Sequence, residues 1–111
     1  MNYDSYELKP QYTNQESFYG KACVGVVYDG DDSYFILRSY DTNVVSVYIS
    51  SRGTPFVKKL WNGYSLTTMR HVNELLMQHG FPKLSARVWC AMEAGKFYHA
   101  DEITALALFV K

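Results

Sequence analysis

Cysteine is nearly absent: the 111 residues contain two, Cys23 and Cys90, far apart and outside any C-x-x-C spacing. A disulfide framework and a cysteine-built zinc centre are thereby excluded, and two small buried thiols in a reducing cytosol are expected. An excess of charge of either sign is missing too, since eleven basic and eleven acidic residues cancel and the pI is about 6.8. Lys58-Lys59 is the one adjacent Lys/Arg pair. Neither a basic nucleic-acid footprint nor the strong acidity of a nucleic-acid mimic is therefore written into the composition. No apolar run approaches the roughly 18 residues of a membrane-spanning helix. The opening MNYDSYELKPQY lacks the positive start and apolar run of a signal peptide, so no membrane contact is expected. Nor does any stretch match G-x-S-x-G, the phosphate-cradling G-x-x-x-x-G-K-[ST] or the dinucleotide-binding G-x-G-x-x-G. The chain reads as non-enzymatic.

What is present is aromatic. The ten Tyr combine a large rigid ring with a polar tip, which suits either the faces of a small antiparallel sheet or a contact surface. With 48% hydrophobic and 20% charged residues, one globular domain is expected over residues 18–111. Residues 1–17, polar and without sustained periodicity, read as a flexible N-terminal arm. β-branched and aromatic runs then alternate with turn clusters: about Lys21 to Tyr28, Ser33 to Tyr40, Val44 to Ser50 and Phe56 to Trp61. Asp29-Gly30 marks the first hairpin, because both residues tolerate positive φ. From Ser65 the period changes. At about 100° per residue, Met69, Val72, Leu75, Leu76 and His79 share one arc, and Thr67, Arg70, His71, Glu74 and Gln78 the other. Ser65 caps this helix and Gly80 closes it. A shorter helix is predicted from Ser85 through Glu93, with Val88, Trp89 and Met92 inward. ITALALFV at the end fits strand or helix, and the strand is preferred. The expected fold is α+β, an antiparallel meander of about four to five strands with two α-helices packed on one face.

Chemistry-bearing clusters are sparse. His71 and Glu74, three apart on one helix, could both reach one ion. A zinc site would need about four donors, so His79, Cys90, Cys23 or the His99/Asp101/Glu102 group would have to join them. No cofactor is expected, with Zn2+ as the alternative. HADE, residues 99–102, reads as a polar turn before it reads as a metal or acid–base cluster. Asp29, Asp31 and Asp32 lack the ligand spacing of a calcium loop and read as an acidic hairpin tip able to meet a basic partner. Tyr28, Tyr34, Tyr40 and Tyr48 raise base stacking on a sheet, although the neutral charge and the lack of an RNP-like string oppose it.

SYDTNVVSVYI, residues 39–49, followed by LWNGYSLTTMRHVNELLMQHGF, residues 60–81, resembles small proteins encoded by phages and other mobile elements of Gram-positive bacteria. Their pattern is S-Y-x-T-x-V in a strand, then W-x-x-Y-S-x-T-T-x-x-H-x-N-E-F-L at the next helix. Ser39, Tyr40, Thr42, Val44, Trp61, Tyr64, Ser65, Thr67, Thr68, His71, Asn73, Glu74 and Leu76 match it, and Leu75 stands where Phe is usual. The matched residues can be structural, with the Thr68 hydroxyl tying the helix start to the sheet and Trp61 and Tyr64 packing across that junction. Alternatively Thr67, Arg70, His71, Glu74 and Gln78 form a contact surface. Through its class and context the chain looks like an anti-CRISPR protein. That resemblance implies a cytoplasmic protein of the host bacterial cell, monomeric or weakly dimeric. It would inhibit a type II RNA-guided CRISPR effector nuclease by direct binding that blocks guide or target loading, without itself binding nucleic acid. The implied contacts are Asp29, Asp31, Asp32, Tyr34 and the helix residues just named. A small nucleic-acid-binding accessory protein of a mobile element, or a small zinc-binding protein, is the alternative.

Overall fold

Short turns between the four central β-rich runs leave each of those strands no partner but its neighbour. The computed structural model, which describes residues 2–110, contains strands β1 (Asn2–Glu7), β2 (Ala22–Asp29), β3 (Asp32–Ser39), β4 (Thr42–Ile49), β5 (Pro55–Lys59) and β6 (Phe97–His99). All pair antiparallel in the order β1-β2-β3-β4-β5-β6. Gly30, at φ +62°, makes the tight turn between β2 and β3, where an L-residue would be strained. Three helices, α1 (Leu66–Gln78), α2 (Ala86–Ala91) and α3 (Ala100–Phe109), complete an α+β fold. The meander therefore has six strands where four to five were expected, and three helices where two were.

Cross-strand register sorts the side chains into rows. Val26, Phe35, Val47, Val57 and Tyr98 form one row and Val24, Leu37, Val45 and Lys59 the next, both toward the helices. A bulge at Leu37/Arg38 leaves Val44 as the extra residue of β4, buried beside Val45. Val72, Leu75 and Leu76 of α1, Val88 and Trp89 of α2 and Ile103 of α3 close over these rows as one core. α1 begins as the sequence predicts, with Ser65 Oγ accepting the Thr68 N–H at 3.0 Å. It ends around Gly80 at φ +87°, with the Phe81 N–H on the Leu76 carbonyl at 2.9 Å. Ser65 and Gly80 each satisfy helix-end groups.

Three expectations are corrected. Residues 2–17 are no loose arm: β1 extends the sheet edge, Leu8 is buried in the core, and Phe18, just past the segment, is buried as well. The segment hides this because two well-separated apolar anchors make no period. Met1 of that stretch, like Lys111 of the expected domain, lies outside the described residues. The tail is helix rather than strand, since His99 and Glu102 form a capping box and Ile103 and Leu106 face inward. Finally, the thiols are not buried: Cys90 is exposed and Cys23 partly so.

Candidate functional site

The LWNGYSLTTMRHVNELLMQHGF stretch divides into fastenings and one exposed strip. Thr67 is partly exposed and Arg70 exposed, as a contact surface requires. His71 and Glu74 are not: their relative exposures are 2% and 0%. The N-terminal segment lies over that side of α1, and helical periodicity cannot report a segment packed from elsewhere. His71 Nδ1 is 2.8 Å from Ser39 Oγ, which is 3.1 Å from Thr68 Oγ1, while the Phe18 ring meets the imidazole edge-on at 4.6 Å. Thr68 does tie the helix start to the sheet. Burial holds the His71 pKa below the ordinary imidazole value. This hydroxyl–imidazole pair is sealed from solvent and positions α1 against β3.

Glu74 and Asn73 work similarly. Glu74 Oε1 accepts the backbone N–H groups of Tyr12 and Thr13 at 2.9 and 3.2 Å, and its Oε2 accepts Gln78 Nε2 at 2.7 Å. Gln78, partly exposed, also donates to the Lys9 carbonyl at 2.9 Å. The Asn73 amide brackets the backbone of Leu84, accepting its N–H at 2.8 Å and donating to its carbonyl at 3.2 Å. His71 and Glu74 are thus engaged separately and do not converge on an ion. Among the described residues no three His, Cys, Asp or Glu side chains are grouped to hold one. HADE builds the start of α3: His99 Nδ1 accepts the Asp101 N–H at 3.1 Å, and Glu102 Oε1 accepts the His99 N–H at 2.9 Å. Lys59, 2% exposed, is a further buried tie, donating from Nζ to the carbonyls of Trp89 and Met92 at 2.8 and 3.2 Å. Burial lowers its pKa.

Among the described residues no helix covers the opposite face of the sheet. One row runs Val27, Tyr34, Tyr48, Phe56, His99, and beside it lies Gly25, Ile36, Ser46, Lys58, Phe97. The Tyr34 and Tyr48 rings stack at 4.9 Å and 28°, Tyr48 lies 6.0 Å from Phe56 and 5.8 Å from Phe97, and Lys58 Nζ sits 4.6 Å from the Phe97 centroid. Strand alternation brings Asp29 and Asp32 to the same face, with exposed Asp31 at the tip. Partial burial, and then the Asp32 carboxylate, raise the Tyr48 pKa. Tyr34 and the three aspartates therefore share one surface, whereas Thr67, Arg70 and Gln78 lie beyond the sheet on the helical side and cannot belong to it. Of the four stacking candidates only Tyr34 and Tyr48 come together. Tyr28 has the register of the helix-facing rows and Tyr40, at φ +56°, occupies the β3–β4 turn.

Sequence reading missed Val27, Ile36, Phe56, Lys58 and Phe97. The signal was available in the strands themselves, because a sheet with one solvated face alternates apolar with polar, and here Val27, Tyr34, Ile36, Tyr48 and Phe56 stand at outward positions. No curated protein and no solved structure matches the chain. A family model described as a family of unknown function, DUF8033, matches residues 6–91, which span the end of β1 through α2 and so include most of the aromatic face and all of the fastenings on α1. The chain belongs to the DUF8033 family.

Proposed function

We propose that this protein is a non-enzymatic binding module whose uncovered sheet face docks a basic surface of a partner protein. The observation that carries this reading is the continuity of the acidic tip with the aromatic rows: Asp29 and Asp32 sit on the same face as Tyr34 and Tyr48. Rings at the centre and charge at one end give an interface its anchors and its steering. The resemblance to mobile-element proteins supplies the partner: a type II RNA-guided effector nuclease, inhibited in the host cytoplasm by occupation of its positively charged nucleic-acid channel.

Single-stranded nucleic acid on the same rings is the second reading, favoured by the aromatic row itself. Two features weigh against it. Tyr34 and Tyr48 stack on one another, so part of each ring face is already covered. The phosphates would also meet Asp29 and Asp32 beside Lys58 and Arg38, a mixed field rather than a basic groove.

The test incubates the protein with such nucleases before and after guide loading, then follows target cleavage and comigration on a sizing column. Inhibition with comigration, lost at least about tenfold in Tyr48→Ala and in Asp29→Lys/Asp31→Lys, is expected. Absence of any complex across several nucleases would sink the partner assignment. Binding to a single-stranded oligonucleotide that falls steeply with salt would favour the second reading.

A further inference from the structure

On the helical side, away from the aromatic face, lies a groove of ≈ 700 Å³, within the range of small-molecule sites. One wall is the N-terminal segment Tyr12 to Gln15, the floor is α1 with Met69 and Met77, and the other wall is the chain around Leu84 entering α2. Both walls are fastened to the floor by buried groups described above. Glu74 holds the backbone of Tyr12 and Thr13, and Asn73 holds that of Leu84. The groove is therefore formed before any ligand arrives, which removes an ordering cost from binding.

Its chemistry is selective. Arg70 and Lys83 line it, and no carboxylate among the described residues does, although the chain as a whole is neutral. Tyr12 and Tyr64 offer rings, and the two methionines offer polarisable surface suited to a flat apolar body. Asn14 presents an amide that both donates and accepts, and Gln15 lines the groove beside it. Gln15 Oε1 is buried without a hydrogen-bond partner, so turning that amide into the groove gives it a bond it otherwise lacks. A planar heterocycle with donor and acceptor edges, joined to a compact anion, matches all of these groups at once.

We propose that this groove binds a nucleoside monophosphate, its phosphate on Arg70 and Lys83 and its base against Tyr12 or Tyr64 with its edge on Asn14 and Gln15. The site is independent of the sheet face and of the partner assigned to it. Calorimetric titration of the intact protein with AMP, GMP, CMP and UMP tests it, beside the matching nucleosides, inorganic phosphate and a single-stranded oligonucleotide. At least one monophosphate is expected to bind, with its nucleoside and inorganic phosphate each at least about tenfold weaker. Arg70→Gln and Lys83→Gln should each weaken binding about tenfold, and Arg87→Gln, an exposed cation outside the groove, should not. All three replaced side chains are exposed, so an unchanged Tm confirms that the variants remain folded. The proposal is overturned if no monophosphate binds at millimolar concentration, if inorganic phosphate binds as well as the nucleotide, if only the oligonucleotide binds, or if the Arg70→Gln/Lys83→Gln double variant retains full affinity.

Discussion

Removing the Glu74 carboxylate should detach the N-terminal segment from α1. The carboxylate is fully buried and accepts three hydrogen bonds, two from backbone amides and one from Gln78. Hydrogen bonds to a charged acceptor contribute roughly 1.5–3 kcal/mol each. Desolvation of the carboxylate takes back several kcal/mol, and Tyr12, being exposed, lets its freed amide recover water. The net loss for Glu74→Ala is therefore about 3 kcal/mol, a Tm decrease of about 12 °C for a domain of this size. Glu74→Gln keeps a neutral acceptor for Tyr12 and Thr13 but turns an amide N–H donor toward the Gln78 donor, so about 1 kcal/mol is expected. Urea denaturation gives both values, and amide hydrogen exchange localises the effect: Tyr12 and Thr13 should lose protection while Val24, deep in the sheet, follows only the global stability. The reasoning fails if Glu74→Ala costs under about 1 kcal/mol, or if Glu74→Gln is as damaging as Glu74→Ala.

Three further outcomes follow from the buried groups. Burial lowers the pKa values of His71 and His79 below 6.5. The unfolded chain therefore binds more protons below that pH, and stability should be full above about pH 6.5 and fall as pH drops toward and through the folded values. Urea midpoints across this range check it, and His79→Gln should flatten the slope. Lys59→Met, which removes both Nζ hydrogen bonds and leaves the Met92 carbonyl without its donor while the Trp89 carbonyl keeps the Met92 N–H, should cost about 2 kcal/mol in chemical denaturation, and a neutral or stabilised variant would contradict the assigned role. A Cβ on Gly63 would collide with the Trp61 ring, whereas one on Gly30 meets nothing. Gly63→Ala should thus lower stability by about 2–3 kcal/mol through overpacking, and Gly30→Ala by about 1 kcal/mol through its positive φ alone; equal effects would refute the distinction.

Local chemistry made the central hairpins and α1 legible. Asp29-Gly30 and the Ser65 cap act over a few residues, and a linear string preserves that range. What could not be read were the consequences of packing between distant segments. His71 and Glu74 occupy polar-face positions of an isolated helix, and they are buried because residues 8–18 return across α1. Lys59 alternates correctly for the helix-facing side of β5, and only the position of α2 turns that awkward placement into a pair of hydrogen bonds. The last apolar run was ambiguous for a different reason: a short run carries no period long enough to separate strand from helix, and the capping box that decides it sits in HADE, a stretch that reads as a polar turn rather than as the start of a helix. As for the site, the acidic tip and Tyr34 were visible one at a time, but their union with Phe56 and Phe97 depends on cross-strand register.

The strictly sequential strand order also bears on how the molecule comes into being. The ladders from β1 to β5 join stretches close in the chain, so these strands can zip together in the order of translation with little loop-closure entropy opposing each step, whereas β6 must return past α1 and α2 to reach β5. The latch between Glu74 and Tyr12 spans 62 residues and cannot close until α1 has emerged. A contact that closes after the folding barrier governs how slowly a protein comes apart rather than how quickly it assembles. Were the latch such a contact, the buried carboxylate would act as a kinetic lock on the folded state, and Glu74→Ala would speed unfolding more than it slowed folding.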